Sequence, residues 1–355
     1  MLGTVIQKLP MSERKPEKIP LPTKPPELPI KAPVPGDRPF SLFVESIIQS
    51  GTRIVQTEIE NRLLTLLNKL QELRHSQILV YYSIESIDHE DAKQFYELIT
   101  LYKDLGNLDL YLLSPGGLSD PAFKIARLCQ QYCKGCFTVI VPYYAKSAAT
   151  ILALGADKIF MGPTSELGPI DPQLIQTVKG RKQAIPLLAL KQAIDSIKED
   201  IKANPELALL YKTLIDKIDP MAYGLFEREV LSAQQYAEQL LKTRMLKDDP
   251  EKDEKAKNIA KNLVDWYKTH RYVIDMEEAK NKETLGLALE DFDKDQWDII
   301  WQLHLLYDAF LRAHSTQRDK AIKIFHSTKF KLIRQIPLEP YLTSESEIKK
   351  EPQTE

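Results

Sequence analysis

Long apolar runs are absent from this 355-residue chain, and nothing in it reaches the ~18–20 residues a helix needs to span a bilayer. The opening MLGTVIQKLPMSERKPEK has no continuous apolar stretch and no small-residue cleavage site, so it does not read as a secretory signal. Neither sign of charge is in excess: 48 Lys+Arg stand against 50 Asp+Glu, a formal −2, which points to neither a nucleic-acid binder nor an acidic tail protein. Cysteine is scarce. Cys129, Cys133 and Cys136 sit together as C-x3-C-x2-C with no fourth ligand close in sequence. The pattern argues against a zinc or cluster site and for reduced thiols in a cytosolic protein. G-x-G-x-x-G, G-x4-G-K-[ST] and H-E-x-x-H are all missing, so no nucleotide, organic cofactor or metal is expected. What remains is a cytoplasmic protein with no membrane span of its own.

Residues 1–40 are crowded with proline and lysine (KIPLPTKPPELPIKAPVPGDRP), a composition that buries too little apolar surface to offset ordering. An extended, disordered head is expected, open either to an SH3-type partner through its PxxP-like spacing or to peripheral membrane association. Over 41–75 the residues Ile47, Ile54, Ile59, Leu63, Leu66, Leu67, Leu70 and Leu73 recur at helical spacing. The main domain is expected over 76–313. SQILVYYS reads as a buried strand, and Asp88 caps a helix in HEDAKQFYELITLYKDL, with acidic residues in its first turn. LDLYLLS, FTVIVP and KIFMGP are further apolar strands, alternating with helices at Pro121–Gln131 and SAATILALGA. Continuous apolar strands interleaved with helices predict an α/β fold with a mostly parallel sheet covered on both faces.

Beyond Pro172 the pattern turns helical: Ile185–Ala203, Pro205–Ile218, Ala222–Thr243 and Lys255–Lys268, a helical decoration over 195–268. Asp248–Lys257 reads as a charged, solvated loop. Asp275–Asn281 is a short helix, GLALEDF a strand-like closing element, and Asp295–Ala313 an amphipathic helix. A C-terminal extension over 314–355 shows some β-like alternation before a disordered end.

Three strand-to-turn units concentrate the chemistry. LDLYLLSPGG ends in Gly116 and Gly117, which permit unusual backbone angles and close approach of the chain to a ligand. The turn reads either as an anion or oxyanion hole or as a plain tight turn. In YYAKSAATILALGADKIFMGP the hydroxyl of Ser147 stands where a strand hands over to a helix, among small neighbours Ala145, Ala148 and Ala149. Two readings stay open for it, a routine helix N-cap or a nucleophile on a fixed turn. The third unit, TSELGPIDPQ, is a loop stiffened by Pro169 and Pro172 with Gly168 as a hinge, placed where α/β folds bind ligands.

The run SPGG…AKSAATILALGADKIFMGP…SELGPIDPQ strongly resembles the serine dehydrogenase proteinase family, a relative of the Clp protease proteolytic subunit, signal peptide peptidase A and the NfeD-type proteases. The resemblance extends from about Ile78 to Gln173 and resumes at YKTHRYVIDMEEAKNKETLGLALEDF. It implies a Clp/crotonase-like fold of stacked ββα units, with helices that often mediate homo-oligomers, and a serine peptidase acting on polypeptides. By the same resemblance Ser147 is the nucleophile, the N–H groups of Gly117 and Ala148 form the oxyanion hole, and Gly116, Gly168 and Asp171 belong to the substrate-binding loops.

The general base is less directly implied. Asp171 stands about where the Clp pattern has a histidine, and a carboxylate of ordinary pKa ~3.9 is a poor acceptor for a serine proton. NfeD-type relatives carry a lysine some forty residues after the serine. Lys191 lies 44 residues after Ser147, and its flanks Leu187, Leu188, Leu190 and Ile194 could desolvate it; otherwise it is a surface helical lysine. His270 matches a family position and is the other contender, or else a structural histidine. Two rival readings share the fold: a crotonase-type enzyme on acyl-CoA, and a scaffold that has lost its base.

Overall fold

The computed structural model describes residues 53–102, 105–170, 173–178, 181–216, 220–267, 269, 271–314 and 320–337. The Pro-rich head, the start of the predicted 41–75 helix, Asp171, His270 and the end of the chain lie outside them. In chain order the elements are α1 (Arg53–Arg74), β1 (Gln77–Ser83), α2 (His89–Ile99), β2 (Leu108–Leu113), α3 (Ser119–Tyr132), β3 (Phe137–Val141), β4 (Tyr144–Ala145), α4 (Ala148–Ala153), β5 (Lys158–Met161) and β6 (Glu166–Leu167). There follow β7 (Gln173–Val178), β8 (Arg181–Pro186), α5 (Leu187–Ala203), α6 (Leu207–Ile215), α7 (Pro220–Thr243), α8 (Lys252–Asp265), α9 (Met276–Lys280), α10 (Lys294–His314), β9 (Lys320–His326) and β10 (Lys331–Pro337).

Six strands form the central sheet in the order β10-β9-β1-β2-β3-β5. β1, β2, β3 and β5 run parallel, with Leu79, Leu110, Val139 and Ile159 in register across all four. Because side chains alternate along a strand, that row and its neighbours Tyr81, Leu112 and Val141 face one core, shared with α2, α3, α4, α7 and α8. The intervening Val80, Tyr82, Tyr111, Ile140 and Phe160 face a second core built on α1 and α10. A sheet covered on both faces favours apolar residues at most positions, which is why its strands read as apolar runs; the charged residues buried in it, Asp109 and Lys323, are held in ion pairs. This is the α/β architecture that the alternation of strands and helices predicted.

Asp88 caps α2 as expected: its carboxylate accepts from the backbone N–H of Glu90 and Asp91, while the Asp91 carboxylate accepts from Asp88 N–H. Four features differ from the sequence reading. The segment Gln173–Pro186 is an antiparallel hairpin, β7–β8, and the helix expected from Ile185 begins at Leu187. The charged stretch Asp248–Lys257 is not all loop, since α8 starts at Lys252. Asp253 and Glu254 lie in its first turn, where the helix dipole favours acids, and Lys255 pairs with Asp249 at 2.8 Å. GLALEDF makes an isolated bridge, Leu289 to Ile159, in place of a strand. Finally, β9 and β10 from the C-terminal extension complete the central sheet, β9 pairing antiparallel with β1. Among the described residues no helix is long and apolar enough to cross a membrane.

Candidate active site

β2 runs into the Ser114–Gly117 turn beside β4. Ser114 N–H donates to Tyr144 O at 3.2 Å and Lys146 N–H to Ser114 O at 3.0 Å, so the SPGG and AKS turns lie side by side. Gly116 has φ +102° and Gly117 φ +141°, conformations open to glycine and strained for other residues. Space matters as much. A Cβ on Gly116 would sit 2.7 Å from Lys146 O and from Ser147 Cβ, and one on Gly117 would sit 2.5 Å from Ile87 O. Ile87 N–H donates to Gly116 O at 2.6 Å and Leu118 N–H to Ile87 O at 3.0 Å. That parallel bridge uses the groups on either side of Gly117, and backbone alternation turns Gly117's own N–H the other way. Among the described residues nothing accepts from the N–H of Gly117 or Ala148.

Ser147 precedes α4 with φ +50° and ψ −117°. An ordinary N-cap sits in the extended region and accepts a hydrogen bond from the first turn; this side chain makes no capping bond, so the routine-cap reading does not describe it. A non-glycine residue held there stores about 1–3 kcal/mol, a cost met by surrounding structure and concentrated in proteins at functional sites. Packing supplies the restraint. The buried Thr150 hydroxyl shares its proton between Ala145 O and Gly168 O, both at 2.8 Å, and accepts from Gly168 N–H at 3.1 Å. One side chain thereby ties the turn, the helix and the third loop together. Sequence reasoning missed it, although a hydroxyl inside the apolar run AATILALGA is a buried polar group that must find partners.

Lys146 points away from Ser147 into the third loop. Its Nζ lies 3.0 Å from Glu166 Oε1 and donates to Leu167 O at 3.2 Å and Tyr272 O at 3.4 Å. A Cβ on Gly168 would fall 2.6 Å from Lys146 Cδ, so the glycine makes room for this clamp. The later segment that carries the family resemblance is fastened to the same place: Leu167 N–H donates to Ile274 O at 2.9 Å and Ile274 N–H to Leu167 O at 3.2 Å. Within that segment Tyr267 OH donates to Glu278 Oε1 at 2.7 Å, and burial followed by this bond pushes the phenol well up. Burial likewise pushes Tyr144, beside the serine turn, up to about 12, so it stays neutral.

Ser147, Gly116, Gly117, Ala148 and Gly168 are thus brought together. Lys191 lies on α5, its Nζ 3.4 Å from Asp265 Oδ1 on α8 and its side chain 37% exposed, in place of the desolvation expected for it. α8 also reaches the third loop, Ile170 N–H donating to Leu263 O at 2.9 Å. A hydroxyl on a strained turn beside two unclaimed backbone donors is equipped for nucleophilic acyl transfer.

Comparison with known proteins gives the chain a family. The profile of the ClpP-like SDH-type serine proteinase family matches residues 45–319. Among curated proteins the chain is similar to the uncharacterized protein MJ0137 of Methanocaldococcus jannaschii, at 29% identity over 74% of this chain and 79% of the relative. A second uncharacterized protein of that organism, MJ1495, matches at 27% identity over 68% of this chain and 75% of the relative. Solved structures with some likeness include a mutant of the 1510-N membrane-bound stomatin-specific protease in complex with a substrate peptide (19% identity, TM-score 0.37, 62% of this chain and 78% of that one). ClpP1 from Listeria monocytogenes is another (21% identity, TM-score 0.21, 27% of this chain and 57% of that one). With most of its length matched by the family profile, the chain belongs to the ClpP-like SDH-type serine proteinases.

Proposed function

We propose that this protein hydrolyses peptide bonds through an acyl-enzyme on Ser147. The observation that carries the reading is the conformation of that residue: φ +50°, ψ −117°, with a hydroxyl that caps nothing. In the proposed reaction Ser147 Oγ attacks the scissile carbonyl carbon and gives its proton to a base. The oxyanion is held by Gly117 N–H and Ala148 N–H, each such donor being worth about 10²–10³ in rate. The protonated base then hands its proton to the departing amine, and water, deprotonated by the same base, releases the acid. The strained serine also favours this reading over an acyl-CoA enzyme of the same fold, whose enolate chemistry has no use for it.

The base is Lys191 or His270. Lys191 would have to exchange Asp265 for the serine. His270 is supported by its setting in the chain, since Tyr272, two residues on, receives Lys146 next to the nucleophile. Labelling by a fluorophosphonate probe decides: it should be lost in Ser147→Ala and in one of Lys191→Met or His270→Gln. If His270 is the base, the labelling rate should rise with pH through an inflection near ~6.5. An unlabelled wild type would sink the reading, and labelling that survives both base variants would sink this choice of base.

Polypeptide substrates and a homo-oligomeric assembly go with the proposal. The helices α6 and α7 expose Leu209 (81%), Leu210 (70%), Met221 (75%) and Leu231 (62%), apolar surface suited to a second copy. The free thiols Cys129, Cys133 and Cys136 suit the reducing cytoplasm. Recovery of the native protein with membranes, or sedimentation as a monomer, would count against this part.

A further inference from the structure

Three charged side chains, Lys323, Arg334 and Asp91, converge on Ser86 and Asp88, the two residues that flank Ile87. Lys323 of β9 is fully buried, and its Nζ donates to Ser86 O at 2.5 Å, Asp88 Oδ2 at 3.1 Å and Asp91 Oδ2 at 2.5 Å. Arg334 of β10 donates to Asp88 Oδ1 at 2.8 Å and Asp91 Oδ1 at 2.9 Å. Tyr81 OH adds a bond to Asp91 Oδ2 at 2.9 Å, and Asp91 is itself fully buried. Burial pushes the Asp88 carboxyl up, but Arg334 and Lys323 outweigh it and hold the group at about 2, so it stays ionised.

Stability is a poor reason for such a cluster, because apolar residues of similar volume commonly serve a buried site as well or better. Its location offers another reason. Ser86 and Asp88 are both fixed by one ammonium, and Ile87 between them clasps the oxyanion loop through Gly116 O and Leu118 N–H. Gly117 has no room to shift toward Ile87, whose backbone fills the space where a Cβ would stand. Both cations lie beyond residue 319, where the family match ends.

We propose, building on the reading of Ser147 and Gly117 above, that Lys323 and Arg334 are positioning residues of the active site: the β9–β10 hairpin fixes Ser86–Asp88 and so sets the aim of the Gly117 N–H. The C-terminal segment then acts in catalysis without touching substrate. An oxyanion donor moved off its mark loses part of the 10²–10³ that a removed donor costs, so the expected effect of loosening the clasp is about tenfold.

The test uses Arg334→Met and Arg334→Lys in the full-length chain, with the charge-neutral double variant Asp91→Asn/Lys323→Met as the second perturbation. Three quantities are read: fluorophosphonate labelling rate at Ser147, kcat and KM on a fluorogenic peptide, and hydrogen exchange in segments 84–90, 114–120 and 137–141. Arg334→Met should lower kcat and labelling about tenfold at unchanged KM. Exchange should quicken in the first two segments and hold steady in the third, with Arg334→Lys recovering most of the rate. A folded Arg334→Met, or a folded double variant, with wild-type labelling and wild-type exchange overturns the proposal. Failure of the underlying reading looks different: an unlabelled wild type removes the catalytic role, whereas unchanged exchange removes the mechanical link.

Discussion

Replacing Ser147 by glycine should make the protein more stable while abolishing its activity. At φ +50° and ψ −117° a side chain bearing Cβ is held at a cost of about 1–3 kcal/mol, which glycine does not incur. Against that gain stands the greater freedom of glycine in the unfolded chain, about 0.5–1 kcal/mol relative to alanine. The hydroxyl makes no capping bond, so its loss subtracts little. The net expectation is a gain of about 1 kcal/mol for Ser147→Gly over both wild type and Ser147→Ala. Alanine keeps the Cβ and therefore the strain, which makes it the control that separates backbone from hydroxyl. Equilibrium urea unfolding of the three proteins, followed by far-UV circular dichroism, gives the comparison, with an unchanged slope required for the midpoints to be read as stability. A glycine variant less stable than the alanine variant would show that the serine is not strained, and the observation on which the catalytic reading stands would be lost.

Gly117→Ala combines a forbidden φ of +141° with a Cβ 2.5 Å from Ile87 O. It should destabilise by about 1–3 kcal/mol and cut probe labelling about 100-fold. Gly106→Ala, with nothing within 4 Å of the new methyl, should do neither, and equal behaviour of the two variants would refute the account of the turn. A pH effect follows from His304 and His326, which burial holds down to about 4 while they are hydrogen-bonded to Tyr82 OH at 2.9 Å and Tyr307 OH at 2.8 Å. Between pH ~6.5 and ~4 the unfolded rings take up protons that the folded ones refuse, so this stability is complete above ~6.5 and declines as pH falls, by roughly 3 kcal/mol per ring. Urea midpoints at pH 7.5 and 5 should differ accordingly, and His326→Gln should reduce the difference; equal midpoints at the two pH values for the wild type would contradict it. Loss of the Asp88 contribution belongs to a separate window, below pH ~4 and down through about 2.

The parallel sheet was legible because both of its faces are buried, which writes LDLYLLS, FTVIVP and KIFMGP as largely apolar runs alternating with helical patterns. The α2 start was legible for a local reason too, since Asp88 and Asp91 complete a capping box within four residues. The β7–β8 hairpin was not. QLIQTV and RKQAIP pair with each other among the described strands but carry no sustained apolar–polar alternation, and the helical pattern that begins at Leu187 dominates the reading. Helix α8 was read as starting too late for a related reason: the acids of DDPEKDEK look like solvent-facing loop until two of them are recognised as first-turn residues.

Local and distant information divide the site in the same way. Gly116 and Gly117 belong to a short turn whose residue types are dictated by their own φ values and close approaches, and a sequence displays such constraints directly; Ser147 and Ala148 stand out by their place where a strand hands over to a helix. What surrounds them comes from far along the chain. Asp265 reaches Lys191 across 74 positions, Tyr272 reaches Lys146 across 126, and Lys323 reaches Asp91 across 232. No periodicity or spacing encodes those pairings, because each is decided by the packing of whole elements. The chemistry follows the same division. A nucleophile and its oxyanion donors need closely held geometry, which the packing that restrains the strained Ser147 turn would provide in the proposed site. A base needs a controlled proton affinity, and that is set by burial and by neighbouring charge. The residues able to supply such an environment stand on separate elements, α5, α8 and the segment that Ile274 fastens to β6. Under the proposed mechanism, whichever of them acts depends for its competence on how those elements dock, and a change in docking would alter the pH dependence of probe labelling before it altered the turn that holds Ser147.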